Sequence, residues 1–332
     1  REYLFEVLTE LFERANITYC KWDMNRNFSD VFSPYLDALD QGGLYHRYYL
    51  GLYQLMESLT ARFPEILFEA CASGGNRFDL GMLYYMPQIW TSDNTDGYER
   101  VKIQYGTSLC YPQSVMGAHV SNIPNMQTLR HTQLETRFNI ASFGLLGYEL
   151  DITRLTPYER KVIKKQIAFY KKHRQTLQFG RLVRIKNPFL ENDAALMVIS
   201  PDGSEAVLGI FQCLENPNAP LEKIRVRELS NDNEYLITNR TQYFNLGMFG
   251  DLVKHALPID MNQHGILFHI LKNHYLMPVE KEAQQEYGAV LNQNGFIPKQ
   301  RFIGTGYNQN VRLMCDFGSR LYTFTLKEEQ EA

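Results

Sequence analysis

The sequence predicts an α/β protein in two parts, a parallel β/α region over residues 1–180 followed by an all-β antiparallel region over 181–332. Three observations carry this expectation. Short β-branched and aromatic runs alternate with helical patterns through the first part, as parallel strands joined by crossover helices require. Beyond Arg181 strand-like runs follow one another directly, split by turn clusters such as Pro201-Asp202-Gly203 and Asn216-Pro217-Asn218-Ala219-Pro220, and a sandwich is expected there. The 332 residues, 44% of them apolar, suffice for about two cores at roughly 150 residues per domain.

Residues 1–14 place Leu4, Phe5, Leu8, Leu11 and Phe12 at helical spacing, with Glu10 four residues before Arg14, an amphipathic helix. No Ser, Thr, Asp or Asn precedes it, so the chain is expected to begin inside a structural element. Residues 17–22 are short, β-branched and aromatic and read as a strand ending at Asp23. A helix over 44–63 leads into a strand over 65–70, and further strands are expected at 86–91, 114–120 and 144–150, with helices over 98–109 and 129–143. The last helix of this part is well punctuated: Thr156 caps it, Pro157 opens it, Glu159 closes a capping box and Gly180 stands past its end. Its basic residues, Lys161, Lys164, Lys165, Lys171, Lys172 and Arg174, read as a solvated face in preference to a phosphate site. In the second part strands are expected over 182–185, 195–199, 206–214, 224–229, 235–238, 265–271 and 312–326.

With 34 basic and 37 acidic side chains the formal charge is −3, which fits neither a disordered tail nor a nucleic-acid-binding arm. No apolar run approaches the roughly 18 residues of a membrane span, and no signal-peptide pattern opens the chain, which begins at Arg1 without an initiator Met. The five cysteines, Cys20, Cys71, Cys110, Cys213 and Cys315, include no C-x-x-C pair, so neither a zinc site nor a disulfide framework is expected. A reducing, cytoplasmic location follows as an expectation. Aromatic residues make up 13% of the chain, a supply of flat surfaces for stacking on sugar rings, although the core claims most such rings.

A β/α barrel carries its functional groups at the C-terminal ends of its strands. Those positions here are Lys21 and Asp23, Glu69 and Cys71, Asp93 and Asp96, His119 and Ser121, and Glu149 and Asp151. Carboxylates dominate. Two acids on different strands facing one pocket are what glycosidic bond cleavage needs, one to attack or stabilise the anomeric carbon and one to protonate the leaving oxygen. Competing motifs fail. The turn Ala72-Ser73-Gly74-Gly75-Asn76-Arg77 lacks the Lys-Ser/Thr of a P-loop, and no G-x-S-x-G elbow exists. Asp93-Asn94-Thr95-Asp96-Gly97 resembles a calcium loop but has a misplaced Gly and Gln104 where Glu is needed. His119 has no second histidine at metal spacing. Asn27-Phe28-Ser29 and Asn239-Arg240-Thr241 fit the glycosylation sequon, which recurs by chance.

Several segments resemble the signature segments of family 36 glycoside hydrolases, the bacterial and fungal α-galactosidases. They are Lys21-Trp22-Asp23-Met24-Asn25-Arg26, the stretch Arg77-Phe78-Asp79 through Gly81-Met82-Leu83-Tyr84-Tyr85, and Pro87-Gln88-Ile89-Trp90-Thr91-Ser92-Asp93. The resemblance continues through Lys102-Ile103-Gln104-Tyr105-Gly106-Thr107-Ser108-Leu109 and Met116-Gly117-Ala118-His119-Val120-Ser121, and returns in Asp316-Phe317-Gly318-Ser319-Arg320-Leu321-Tyr322. It implies a (β/α)8 TIM barrel followed by a β sandwich, with Asp23 ending the fourth barrel strand. By that reading three strands and an N-terminal β domain lie outside the chain, and residues 1–332 alone are expected to be inactive.

The resemblance also implies roles. Asp23 falls on the catalytic nucleophile and Asp93 on the general acid/base. Lys21, Cys71 and Gly74 are similar to the family's galactose contacts, with Trp22, Met24 and Asn25 beside them. Independently, the positive charge of Lys21 is expected to keep Asp23 ionised, and Ile89 and Trp90 to desolvate Asp93 in favour of an acid role. Asp96 is the rival acid and reads as a structural cap. The expected reaction is retaining double displacement on α-galactosides of the melibiose and raffinose type, with no cofactor and no metal. Neither nucleic acid nor membrane is an expected partner, and the resemblance implies a homo-oligomer, a tetramer. Asn76 stands where better-known members carry Gly, so α-N-acetylgalactosamine is the alternative substrate, and Met126 stands where His is expected. A transglycosylase and a non-catalytic carbohydrate-binding protein are the remaining rivals.

Overall fold

The computed structural model describes residues 1–25, 30–216, 220, 222–256, 261–299 and 314–327. Arg26, the first sequon, and residues 217–219 of the second turn cluster lie outside them, as do residues 312 and 313 of the closing run. By contacts the chain divides into two units, Arg1–Asp93 with Val115–Gly117, and Asn94–Ser114 with Ala118–Ala332.

The first unit opens with α1 (Glu2–Arg14), whose first turn has no side-chain cap, then β1 (Tyr19–Asp23) and α2 (Leu44–Arg62). It continues through β2 (Leu67–Cys71), α3 (Leu80–Tyr85) and β3 (Gln88–Trp90). β1 pairs parallel with β2, β2 with β3, and β3 with Met116 and Gly117 at the start of β4 (Met116–Ser121). The register aligns Lys21 with Glu69 and Asp23 with Cys71. The helices cover one face of these strands: Phe12, Leu52, Met56 and Leu59 pack with Phe68, Ala70 and Ile89 into one apolar cluster. The alternation of strand side chains leaves the other face to Tyr19, Lys21, Glu69, Gln88 and Trp90. Helix α3 was not anticipated. It is six residues long, too short for a periodic pattern, and depends on Asp79, whose carboxylate accepts from the Met82 N–H at 2.8 Å.

The second unit contains α4 (Glu99–Thr107), the rest of β4, α5 (Leu134–Ala141), β5 (Leu145–Glu149) and α6 (Pro157–Phe179). The sheet order is β1-β2-β3-β4-β5. Helix α5 starts later than the sequence suggests. Asn125 accepts from the backbone N–H groups of Gln127 and Thr128 and holds a turn there, and Leu129 has a φ of 54°. The capping box of α6 forms as read, and Lys164, Lys171, Lys172 and Arg174 are exposed.

A six-stranded antiparallel sheet follows, in the order β12-β9-β13-β8-β7-β6. Its strands are β6 (Arg181–Lys186), β7 (Asp193–Ile199), β8 (Glu205–Gln212), β9 (Glu234–Asn239), β12 (Ala283–Tyr287) and β13 (Ser319–Leu326), and β10 (Tyr243–Phe244) pairs separately with β11 (Met277–Pro278). The region is not purely β, for it also holds α7 (Val253–Ala256), α8 (Ile266–His274) and α9 (Gly288–Gln293). Two expected strands are absent. Residues 265–271 fall in α8, where Phe268 and Leu271, three apart on one helix face, pack with Leu246, Val253 and Met277. Residues 224–229 form only a bridge from Ile224 to Phe296, because the Asn292 amide takes both backbone groups of Leu229. The contact division does not fall at Gly180: Phe138, Val162 and Leu177 share one cluster with Leu196, Val207 and Phe211 of the antiparallel sheet.

Candidate active site

Both acids singled out from the sequence lie in the first unit and both are exposed. Asp23 is the last residue of β1, and it borders a groove of about 890 Å³ lined by Met24, Asn25, Tyr48 and Leu52. Asp93 follows β3 by three residues, and its Oδ1 accepts from the Trp90 indole N–H at 3.1 Å. The desolvation expected of Asp93 is not seen. Ile89 and Trp90 are themselves buried, but the chain turns after Thr91 and presents the carboxylate outward.

The turn after β2 links the two acids. Asn25 donates from Nδ2 to Oδ2 of Asp23 at 2.8 Å, while its Oδ1 accepts from the Ser73 backbone N–H at 2.7 Å. Ser73 and Gly74 have φ of 50° and 82°. At Gly74 this conformation suits glycine, and a Cβ there would stand 2.7 Å from the Ser92 Cα and 2.9 Å from the Asp93 nitrogen. The turn therefore packs directly on the backbone that carries Asp93. Arg77, almost buried, donates to the Met24 carbonyl and holds the other side of the segment after β1.

Cys71 is buried beside Asp23 in register. Burial pushes its thiol up to about 11; the Gly74 backbone N–H opposes this, and the hydrogen bond the thiol gives Asp23 adds to it. At neutral pH Cys71 is a neutral thiol in register with Asp23. Lys21 pairs with Glu69 at 3.7 Å and sits 4.8 Å from the centroid of the Trp90 ring. The sequence reading gave its charge to Asp23, whereas the structure engages it with a buried carboxylate. Trp22 and Met24, expected beside the sugar, are half-buried: both pack against the apolar cluster with the helices and both line the groove that Asp23 borders.

The family described as Melibiase matches residues 1–180. The chain belongs to the melibiase family. Residues 193–324 match the glycosyl hydrolase family 36 C-terminal domain. The melibiase-family chain is 50% identical over 249 residues to alpha-galactosidase AgaA of Geobacillus stearothermophilus, covering 75% of this chain and 33% of that protein. It is 46% identical to alpha-galactosidase Mel36A of Lactobacillus acidophilus, covering 71% and 32%. It thus spans about a third of the length of the curated relatives it matches. The crystal structure of the alpha-galactosidase from Lactobacillus brevis superposes with a TM-score of 0.80 at 40% identity, covering 100% of this chain and 38% of that one. A variant of AgaA solved in complex with raffinose gives 0.79 at 39%, covering 98% and 38%.

The remaining candidates lie in the second unit. Asp96 is 1% exposed, accepts from the Tyr98 and Glu99 backbone N–H groups at 2.9 and 3.0 Å, and pairs with Arg130. It caps the start of α4, as read. His119 Nδ1 meets Glu149 Oε2 at 2.6 Å, Ser121 is buried, and Asp151 holds an exposed turn with Thr153 and Arg154. Among the described residues no group of three metal-ligating side chains exists, and no helix is long and apolar enough to cross a membrane. The Asn239 amide is buried, donating to Glu280 and accepting from Glu282, so that sequon is engaged within the fold. Sequence reasoning missed the parts played by Ser73 and by the Trp90 N–H. The first has no sequence signal, since its backbone N–H and its hydroxyl reach Asn25 only through the geometry of the turn; the second could have been sought in a Trp three residues before a candidate acid.

Proposed function

We propose that the whole protein is a retaining α-galactosidase in which Asp23 attacks the anomeric carbon while Asp93 protonates the leaving oxygen and then activates water. The observation that carries this is the pair of exposed carboxylates held against one glycine turn, each by a specific donor, Asn25 for Asp23 and Trp90 for Asp93. Names of relatives support the substrate class: AgaA structures are described in complex with raffinose and with stachyose. The aspartates replaced in those two variants stand 70 positions apart, the separation of Asp23 and Asp93 here. Lys21, Cys71 and Gly74 line the same strand ends and complete the proposed galactose site.

The reading extends to a complete (β/α)8 barrel that includes residues 1–180 and a β sandwich over 181–332, in a cytoplasmic homo-oligomer. The family matches over 1–180 and 193–324 support that division. In double displacement the two carboxylates lie roughly 5–5.5 Å apart in the working site, and the product keeps the α configuration. Asp23→Ala in the whole protein abolishes release of nitrophenol from nitrophenyl α-galactoside; retained turnover would remove Asp23 from the mechanism. Asn76, exposed in the turn after β2, favours one second reading, the N-acetylated sugar, and a comparison of the two nitrophenyl glycosides decides between them.

A further inference from the structure

Glu69 is a carboxylate at 1% exposure in the middle of a sheet, an expensive place for a charge unless several groups hold it. Three such groups come from the two neighbouring strands. The Tyr19 hydroxyl of β1 donates to Oε2, Gln88 of β3 donates to the same oxygen at 2.8 Å, and Lys21 of β1 faces Oε1 at 3.7 Å. Gly117 of β4 borders the same spot, where a Cβ would stand 3.1 Å from the Trp90 ring and in ordinary contact, 3.4 Å, with Oε1. By register Glu69 lies opposite Lys21, one strand repeat below the Asp23 and Cys71 pair.

Two destinations are open to the Lys21 ammonium. One is Asp23, two residues along the same strand face, where an ion pair would occupy the nucleophile. The other is the buried carboxylate, which draws the ammonium over the Trp90 ring that donates to Asp93. The structure takes the second. We infer that Glu69 is a positioning residue: it holds Lys21 beneath the galactosyl unit as a hydrogen-bond donor to a sugar hydroxyl and keeps it off Asp23. Tyr19 and Gln88 in turn fix the carboxylate. This rests on the galactose site proposed above.

The test is a double-mutant cycle in the whole protein, read by galactose binding in calorimetry and by KM and kcat on nitrophenyl α-galactoside. Glu69→Gln keeps the side-chain volume and removes the charge. It is expected to weaken galactose binding and raise KM about tenfold, with kcat changed by less than about threefold, and Lys21→Ala to do the same. The double variant should be no worse than Lys21→Ala alone. Effects that multiply in the double variant, or an unchanged KM in Glu69→Gln, overturn the inference. Where Glu69→Gln does not fold, Tyr19→Phe serves, with a smaller rise in KM expected and an unchanged KM contradicting. Binding is measured without turnover, so an Asp23→Ala protein that still hydrolyses substrate defeats the nucleophile assignment and leaves the cycle to judge Glu69. A protein that binds no galactose defeats both.

Discussion

The Trp90 indole N–H donates to Oδ1 of Asp93 at 3.1 Å, and the same ring lies 4.8 Å from the Lys21 ammonium. One buried tryptophan thus touches both the acid and the cation of the proposed sugar site. Trp90→Phe keeps most of the packing and removes the donor. A hydrogen bond to a charged group contributes about 1.5–3 kcal/mol, so kcat on a substrate with a poor leaving group should fall about 10- to 100-fold. An activated nitrophenyl substrate, which needs less protonation, should lose less. Equal losses on both would show that Trp90 acts through stability alone.

Gly74→Ala should be the most damaging single change in the turn. The added methyl meets the Ser92 backbone at 2.7 Å, and the left-handed φ costs about 1–2 kcal/mol for a residue with a Cβ. Displacement of Asp93 should lower kcat by at least about 100-fold, more than the drop in melting temperature explains. A variant with normal kcat would show that the turn does not position Asp93.

Asn25 and Ser73 separate side-chain from backbone support. Asn25→Ala removes the donor to Asp23 and should cost about tenfold or more in kcat, whereas Ser73→Ala removes only the hydroxyl's 3.2 Å hydrogen bond to Asn25 Oδ1, leaves the backbone N–H in place and should cost less than about threefold. Steady-state kinetics on the two purified variants decide this.

Cys71 should resist alkylation at pH 8, where exposed Cys110 reacts first. The sign follows from the raised thiol: as pH climbs past about 9 the unfolded chain gives up this proton while the folded chain keeps it up to about 11, so stability falls across that window. Cys71→Ala should flatten that part of the stability profile. Peptide mapping after iodoacetamide treatment, and denaturation curves between pH 8 and 11, check the two statements.

Much of this was legible from periodicity and punctuation. Thr156, Pro157 and Glu159 announce α6, and the residues before Asp23 announce β1, because caps and alternation are local properties. The run 265–271 was misread because a short apolar stretch fits strand and helix alike, and the packing of Phe268 and Leu271 decides it. Glu69 was visible as a strand-end carboxylate, but its hold on Lys21 depends on cross-strand register, which a sequence does not display. The exposure of Asp93 likewise depends on where the chain turns after Thr91.

The most direct measurement is to trap the intermediate. In the whole protein carrying Asp93→Ala, a dinitrophenyl α-galactoside has a leaving group that needs no acid, so the first step proceeds while hydrolysis of the ester is slowed. Mass spectrometry of the digested protein is expected to find a hexosyl increment on the peptide containing Asp23. An unmodified Asp23 together with release of β-galactose would contradict the double-displacement mechanism and the role given to Asp23.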